Sequence, residues 1–278
     1  MSNNMPLMAA RIRKGIVDAV YAAQSGHPGG SLGCADILTY LYFKEMNVNP
    51  ADPKNPMRDR FVLSKGHCAP ALYSALAHRG FFPVSDLVTL RRRGSHLQGH
   101  PSMNCTPGVD MSTGSLGQGV STACGMALAA KVKHEPWRAY TLLGDGELAE
   151  GQCWEAFMFA AHHRLDNLRV IVDLNGLQID GRTKDVMNSE PVADKFRAFG
   201  FEVIECDGND FDALDRAFGK IKSISGRPSC ILARTTKGKG VGFMENLAAW
   251  HGKAPNADEY ARASAELDNT IKSLEVAS

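Results

Sequence analysis

The sequence predicts an α/β protein in which helices cover both faces of a parallel sheet. Through the last two-thirds of the chain, short apolar runs alternate with segments whose apolar residues recur at helical spacing. A strand, a tight turn and a helix succeed one another at residues 60–78 and again at residues 139–163. This alternation is typical of parallel strands joined by crossover helices. We find no internal repeat or linker in the 278 residues, so a single domain over residues 1–278 is the simplest organisation.

The first part of the chain indicates two helices separated by a glycine-rich segment. Residues 7–24 carry apolar side chains at helical spacing, and residues 34–46 resume that pattern. Between them, residues 25–33 contain four glycines and a proline, which predicts a loop. Such a loop can be a simple hinge. It also presents the imidazole of His27 on a tightly folding backbone, as binding loops do.

The remaining elements follow from periodicity and turn residues. Apolar runs predict strands at residues 60–63, 139–143, 168–172, 201–206 and 228–235. Helical spacing predicts helices at residues 69–78, 87–93, 120–133, 151–163, 211–224 and 258–276. Residues 237–243 superficially resemble a dinucleotide-binding fingerprint, but their glycine spacing is wrong and no helix clearly follows. We therefore interpret that segment as a flexible loop.

Composition excludes several classes of function. The formal net charge is +1, from 31 basic and 30 acidic residues, so no bulk charge favours nucleic acid or a membrane surface. Seven cysteines are scattered without a Cys-x-x-Cys pair, which is typical of reduced thiols in a cytoplasmic protein. No apolar stretch predicts a secretion signal or a membrane span. We expect a cytoplasmic protein.

Two polar residues follow neighbouring predicted strands. Asp145 comes just after the strand at 139–143, and Asn175 comes just after the strand at 168–172, thirty residues later. In an open parallel sheet, ligands bind in the crevice beyond the carboxyl ends of the strands. A carboxylate and an amide oxygen there suit a hard divalent cation, and Mg²⁺ commonly takes further ligands from phosphates. The pattern predicts a metal and a diphosphate cofactor, whereas a plain strand-ending turn is the alternative.

Glycines and a histidine near these strand ends also suit a phosphate ligand. Gly144 and Gly146 have no Cβ and allow the backbone to approach a diphosphate closely. Residues 113–119 place three glycines at the start of the next predicted helix. His67 lies at a helix N-terminus, where unpaired amides favour anions, although it can equally act as a helix cap.

Gly-Asp-Gly at residues 144–146, followed by Asn175, resembles the thiamine diphosphate signature, and residues 144–151 and 173–181 resemble its transketolase form. Further motifs occur in that family's order: Ser-Gly-His27-Pro-Gly, Lys-Gly-His67, Gln-Gly-His100-Pro, Thr-Gly-Ser-Leu-Gly-Gln-Gly at 113–119 and Trp-His251-Gly. The chain thus resembles the N-terminal section of transketolase over nearly all its length. The resemblance implies the thiamin diphosphate-binding fold, here its diphosphate-binding module with a six-stranded parallel sheet.

The resemblance also implies roles for individual residues. The metal, Mg²⁺ or Ca²⁺, would be bound by Asp145, Asn175 and the Leu177 carbonyl. Residues expected at the cofactor, thiamine diphosphate, are His67, Gly114, Leu116, Gly144, Asp145, Gly146, Glu150, Asn175 and His251. The expected catalytic residues, which move protons on the substrate hydroxyls, are His27, His100 and His251, and of these His27 and His100 would face the substrate. The implied reaction moves a two-carbon ketol unit from a ketose, such as a sugar phosphate, to an aldose.

The resemblance covers only part of a transketolase, which is more than twice as long. Its second module carries the glutamate that activates the cofactor, and nothing after Val241 can be that module. We therefore predict the N-terminal subunit of a two-chain enzyme, inactive alone. Its expected partner is a C-terminal transketolase subunit with pyrimidine-binding and C-terminal domains, in a heterotetramer with active sites at subunit interfaces. The alternatives are a non-catalytic thiamine diphosphate-binding protein and the subunit of a sugar-specific catabolic transketolase-like enzyme.

Overall fold

A computed structural model describes residues 4–277 of the chain. Five strands form one sheet: β1 (Arg60–Leu63), β2 (Ala139–Gly144), β3 (Leu168–Leu174), β4 (Glu202–Asp207) and β5 (Ser229–Arg234). Their order across the sheet is β1-β2-β3-β5-β4, and every neighbouring pair is parallel. The predicted parallel α/β sheet is confirmed.

The helices surround this sheet. They are α1 (Met5–Ala23), α2 (Pro28–Gly33), α3 (Ala35–Tyr40), α4 (Ala69–Arg79), α5 (Gln118–Val132), α6 (Gly151–His162), α7 (Thr183–Val186), α8 (Val192–Ala198), α9 (Phe211–Lys222) and α10 (Ala257–Val276). A π-helical turn at Leu41–Glu45 continues α3, and 3₁₀ turns lie at Gly66–Cys68, Val84–Thr89, Gly146–Ala149 and Ala248–Trp250. No helix among residues 4–277 is both long and apolar enough to cross a membrane.

Two apolar cores lie on the two faces of the sheet. Alternate strand residues point to opposite faces, as the pleat of a strand requires. Leu142 and Ile171 belong to the core that packs against α1, α3, α4, α9 and α10. Leu143 and Val172, their neighbours in sequence, belong to the core beneath α5, α6 and α8. Burial on both faces explains why the strand sequences are continuous apolar runs.

Two expectations about the fold were wrong. Residues 25–33 do not form an extended loop, because the helix α2 begins directly after His27. Glycine there serves close packing: a Cβ on Gly29 would lie 2.9 Å from the carbonyl oxygen of Trp250. The resemblance implied six strands, whereas the described residues form five. After β5 the chain turns at Gly238 and Gly240, both with positive φ, and folds back onto α2.

The register of the strands brings their carboxyl ends to one edge of the sheet. Leu63 pairs with Leu142, and Gly144 pairs with Asp173, so the segments that follow β1, β2 and β3 emerge side by side. Thr235, which follows β5, donates its backbone N–H to the carbonyl of Leu174 and adds a fourth segment. The candidate site lies at this edge.

Candidate active site at the carboxyl ends of the strands

A cavity of about 310 Å³ lies at this edge of the sheet. Nine residues singled out from the sequence line it, namely His67, Gly114, Leu116, Gly144, Asp145, Gly146, Asn175, Leu177 and His251. Six further lining residues were not predicted, namely Gly30, Lys65, Glu147, Gln178, Ile179 and Lys237. The cavity therefore combines segments that are far apart in the sequence, as expected at the open end of a parallel sheet.

Asp145 is a buried carboxylate with no cationic side chain paired to it in the described part of the chain. It is 4% exposed. Its two oxygens accept hydrogen bonds from the backbone N–H groups of Gly146 and Gly176. Burial, with the nearby charge of Asp173, raises the pKa of the Asp145 carboxyl to about 6. A bound cation would relieve this cost, so the environment suits a metal ligand.

Asn175 and Leu177 place further oxygen atoms in the cavity wall. The side-chain oxygen of Asn175 accepts a hydrogen bond from the Leu177 N–H at 3.1 Å, which forms a tight turn around Gly176. Gly176 has a φ of +74°, a conformation that favours glycine. The Leu177 carbonyl oxygen accepts from the ammonium of Lys237 at 3.4 Å. Carboxylate, amide and carbonyl oxygens together are the donor set that Mg²⁺ and Ca²⁺ prefer.

Zinc-type coordination has no counterpart here. Across residues 4–277 there is no group of three or more His, Cys, Asp and Glu side chains arranged to bind a metal ion. The candidate metal site depends instead on one carboxylate and on neutral oxygens, and such a site needs water or ligand oxygens to complete it.

Four imidazole rings gather beside the cavity. The ring centres of His67 and His251 are 5.1 Å apart, and that of His27 lies 5.2 Å from His67 and 5.4 Å from His251. His100 lies further out, with its ring centre 6.5 Å from that of His27. His27 and His100 do not line the cavity. His27 lies against the rings of His67 and His251, which do line it, and His100 lies beyond His27.

Three of these histidines are held in the neutral form. Burial, with the nearby His67, lowers the pKa of His27 to about 4. Burial and the ammonium of Lys237 lower the pKa of His251 to about 3. The pKa of His100 is also lowered, by burial and by the charge of Arg91. Neutral imidazoles can accept or donate a proton at a substrate hydroxyl without first losing a charge.

One ring nitrogen of His27 is buried without a hydrogen-bond partner among the described residues. This residue precedes the first turn of α2, and its side chain forms no capping hydrogen bond to that helix. The unpartnered atom is Nδ1. A buried polar atom without a partner is costly, which is typical of a site that a ligand completes.

A buried ion pair lies beneath the cavity and was missed from the sequence. The ammonium of Lys65 pairs with Asp173, and the other carboxylate oxygen of Asp173 accepts from the Thr235 hydroxyl. Both charged residues are almost completely buried. Burial favours the neutral form of Lys65, but the charge of Asp173 outweighs it and raises the pKa of that lysine. The pair joins the ends of β1 and β3.

Glu147 is a second buried carboxylate that the sequence did not identify as a site residue. Its oxygens accept from the Ser64 hydroxyl and from the backbone N–H groups of Gly117 and Gly144. Burial raises the pKa of Glu147, although all three hydrogen bonds favour its charged form. Glu150, which was expected at the cofactor, is exposed before α6 and lies outside the cavity, so its assignment stays a prediction.

Lys237 corrects the interpretation of residues 237–243 as a flexible loop. Its side chain is buried, and its ammonium donates to His251 Nδ1 at 3.0 Å. Burial lowers its pKa. The segment is anchored because Gly238 donates its N–H to the carbonyl of Gly29 at 2.8 Å. The glycines that suggested mobility instead permit a tight return of the chain. The composition of the segment therefore did not indicate that Lys237 is a buried residue of the site.

The fold and site define an α/β protein with a cofactor-sized cavity at the carboxyl ends of parallel strands. Residues 5–277 match the family model described as transketolase, thiamine diphosphate binding domain. The chain therefore belongs to the transketolase N-terminal, thiamine diphosphate-binding family. Its expected thiamin diphosphate-binding fold is confirmed by similarity to the crystal structure of transketolase from Campylobacter jejuni. That similarity has a TM-score of 0.89 at 34% identity and covers 99% of this chain and 46% of the other.

Two relatives are similar over almost their whole length. An apulose-4-phosphate transketolase subunit from Phocaeicola vulgatus is 44% identical over 98% of this chain and 96% of the relative. The 6-deoxy-6-sulfo-D-fructose transketolase subunit SqwG of Clostridium sp. (strain MSTE9) is 48% identical over 92% of this chain and 94% of the relative. By contrast, the match to human transketolase covers 39% of that protein. The chain thus spans less than half of the long transketolases that it resembles.

Proposed function

We propose that this chain is the N-terminal subunit of a two-chain transketolase. The enzyme transfers a two-carbon ketol unit from a ketose, in the first instance a sugar phosphate, to an aldose. The observation that carries the proposal is the cavity that joins the unpaired Asp145 carboxylate to a cluster of neutral imidazoles. Relatives named as transketolase subunits, similar over nearly their full length, support the two-chain form.

The residues of the cavity fit thiamine diphosphate and a divalent cation. A buried carboxylate without a paired cationic side chain, next to an amide and a carbonyl oxygen, suits Mg²⁺ or Ca²⁺. Close approach to a diphosphate is possible at Gly146, where an added Cβ would already lie 2.9 Å from Cγ of Gln178. Bound there, thiamine diphosphate supplies the carbanion chemistry that breaks and forms the carbon–carbon bond.

The chain's own groups would bind and orient this cofactor. Asp145, Asn175 and the Leu177 carbonyl would hold the metal. His67, His251 and the backbone N–H of Gly146 would contact the diphosphate, with Gly144, Gly114 and Leu116 against the rest of the cofactor. Lys237 adds a buried positive charge between the Leu177 carbonyl and His251, which favours an anionic group at that point.

The histidines would manage protons on the substrate. His27 and His251 carry no charge near neutral pH because their pKa values are about 4 and about 3. A neutral ring nitrogen can accept a hydroxyl proton and return it when the second sugar binds. His100 would act from the outer edge of the same cluster.

The expected partner is a C-terminal subunit with pyrimidine-binding and C-terminal domains, assembled as a heterotetramer. Exposed apolar side chains follow the metal-binding turn: Ile179 is 63% exposed and Met187 is 59% exposed. Apolar surface beside a site is typical of a face that a second protein chain covers. Free thiols at all seven cysteines support the expectation of a cytoplasmic protein. We retain the expectation that residues 1–278 are one domain.

A sugar-specific catabolic enzyme is the second candidate. It is favoured by the names of the relatives, which specify apulose 4-phosphate and 6-deoxy-6-sulfo-D-fructose. The groups that recognise the far end of the sugar would lie on the partner, so this chain suits either function. A non-catalytic binding protein is the third candidate, and it is disfavoured because the candidate metal ligands and all four imidazoles are present together.

The test is reconstitution. The tagged chain is purified from its native host, and any stoichiometric partner is identified by mass spectrometry and then produced separately. Each chain alone and the mixture are assayed with Mg²⁺, thiamine diphosphate and a panel of ketose and aldose phosphates. We expect transfer only from the mixture. Turnover by this chain alone would contradict the two-chain proposal, and cofactor uptake by the mixture without transfer would favour the non-catalytic alternative.

A further inference from the structure

We propose that Glu147 is a positioning residue that fixes the spacing of two walls of the cavity and thereby sets the affinity for the cofactor. The proposal rests on the function proposed above. It concerns a residue that touches the cavity but that no motif of the sequence assigned to binding. Its side chain is 3% exposed, so it is part of the interior and not of the surface.

One carboxylate joins three segments of backbone. Oε1 of Glu147 accepts from the hydroxyl of Ser64, at the end of β1, and from the N–H of Gly117 at 2.9 Å. Oε2 accepts from the N–H of Gly144 at 3.1 Å, at the end of β2. Hydrogen bonds to an ionised acceptor are stronger than those between neutral groups, so these three bonds hold the segments firmly together.

These segments carry two different parts of the cavity lining. Gly117 directly follows Gly114 and Leu116, which line one wall. Gly144 directly precedes Asp145 and Gly146, which line the other. The same carboxylate accepts backbone N–H groups from both segments. The geometry of these hydrogen bonds therefore determines the distance between the two parts of the cavity lining.

Within residues 4–277, no other side chain accepts a backbone N–H at the start of α5. Gly117 is the N-terminal cap of α5, has a φ of +81° and offers no capping side chain of its own. Glu147 accepts the N–H of Gly117 from a different part of the chain. The helix is also packed tightly against β1, since a Cβ on Gly119 would lie 2.6 Å from the Cα of Ser64.

The matched control is Asp59, at the opposite end of the sheet. Asp59 is also 3% exposed, and its carboxylate accepts two backbone N–H groups, those of Asn47 and Arg138, each at 2.8 Å. It lies before β1 and does not line the cavity. Asp59→Asn therefore makes the same chemical change as Glu147→Gln in an equally buried place.

The experiment compares the wild-type full chain with Glu147→Gln and Asp59→Asn. Each is titrated with thiamine diphosphate at saturating Mg²⁺ by calorimetry, and its melting temperature is measured without cofactor. Glycine-selective ¹⁵N labelling then reports the hydrogen exchange of the Gly117 and Gly144 amides. In Glu147→Gln an amide NH₂ replaces one acceptor oxygen, so one backbone N–H loses its partner.

We expect Glu147→Gln to weaken cofactor binding by roughly 10- to 100-fold, the effect of losing one or two charged hydrogen bonds. Exchange at Gly117 and Gly144 should become faster. Asp59→Asn should lower the melting temperature to a similar extent but change cofactor affinity by less than about twofold. Ser64→Ala, which leaves the charge in place, should weaken binding by only a few-fold and covers the case in which Glu147→Gln does not fold.

Equal cofactor affinity in wild type and in folded Glu147→Gln would overturn the proposal, and so would an equal loss in Asp59→Asn. If Glu147→Gln does not fold, unchanged affinity in Ser64→Ala overturns it. Failure of the wild-type chain to bind thiamine diphosphate at all is a different result. It is what a site shared with the partner subunit would give, so the same variants are then titrated as two-chain complexes. Failure of the wild-type complex to bind thiamine diphosphate would contradict the proposed function.

Discussion

Carboxylates are buried at both ends of the central sheet, but only those at the carboxyl end line the cavity of the candidate active site. At the amino end, Asp110 forms an ion pair with Arg58 and accepts the N–H of Phe61. Asp59 accepts backbone N–H groups from the segments before β1 and β2. These carboxylates hold strands together, and neither lines the cavity at the carboxyl end.

At the carboxyl end, Asp145 and Glu147 accept only N–H and hydroxyl groups, and both open onto the cavity. Of the cationic side chains nearby, Lys65 is paired with Asp173, and Lys237 donates to His251 and to the Leu177 carbonyl. Burial without a counterion raises the pKa of both carboxyls. The carboxylates at the amino end thus bind only groups of the fold, whereas those at the carboxyl end also face a cavity that a ligand can enter.

The largest effect should come from removing the unpaired charge at the carboxyl end. Asp145→Ala removes an oxygen ligand and a charge together, so we expect metal-dependent thiamine diphosphate binding to weaken by more than about 100-fold. Calorimetric titration with and without Mg²⁺ measures it. The control, Asp59→Ala at the other end, should cost about 1–3 kcal/mol of unfolding free energy and leave cofactor affinity unchanged. Unchanged affinity in Asp145→Ala would refute the metal assignment.

The next effect concerns the outer edge of the imidazole cluster. His100 does not line the cavity, so His100→Ala should leave cofactor binding nearly intact. In the reconstituted two-chain enzyme, turnover should fall by roughly 100-fold, in keeping with loss of a proton-transfer group. His162→Ala, on the exposed end of α6, serves as the control. Loss of cofactor binding with residual turnover unchanged at saturation would show that the role of His100 is misassigned.

A smaller effect should follow from pressing the cavity walls apart. A Cβ on Gly66 would lie 2.8 Å from the backbone nitrogen of Gly114, a main-chain atom that cannot move aside as a flexible side chain can. Gly66→Ala should therefore cost about 1–3 kcal/mol of unfolding free energy and weaken cofactor binding. Gly125→Ala, in the open middle of α5, should instead stabilise the chain by about 0.5–1 kcal/mol. Chemical denaturation measures both, and equal responses would contradict the packing described here.

A final prediction concerns the pH dependence of stability at His27. Its pKa is about 4 in the folded chain against an ordinary value of 6.5, so the folded state favours the neutral ring. This contribution to the unfolding free energy is fully present above pH 6.5 and is lost as the pH falls through 4. The difference in unfolding free energy between wild type and His27→Asn should follow this course. A constant difference between pH 7 and pH 4 would show that His27 is not held neutral by the fold.

Strand ends could be predicted from sequence because their signals are local. The predicted bounds of β1, residues 60–63, agree with the structure, and an apolar run followed by a polar residue located both Asp145 and Asn175. The parallel order of the strands then brought those two residues to one edge. This reasoning needed only strand periodicity and the common direction of the strands.

The buried charges could not be predicted because their partners are distant in sequence. Lys65 is 108 residues from Asp173, and Glu147 is 83 residues from Ser64. A charged residue is by default expected at the surface, and only a partner brought close by the fold reverses that expectation. The glycines around Lys237 likewise suggested mobility, whereas the positive φ angles of Gly238 and Gly240 serve a tight return of the chain.

The most direct test of the contrast between the two ends is to locate the cation. Crystals grown with thiamine diphosphate and Mn²⁺ in place of Mg²⁺ would give an anomalous difference map that marks the metal without assumptions. We predict one strong peak among the Asp145 carboxylate, the Asn175 side-chain oxygen and the Leu177 carbonyl oxygen. A cofactor-bound structure with no peak there, or with its strong peak beside Asp59 or Asp110, would contradict the account.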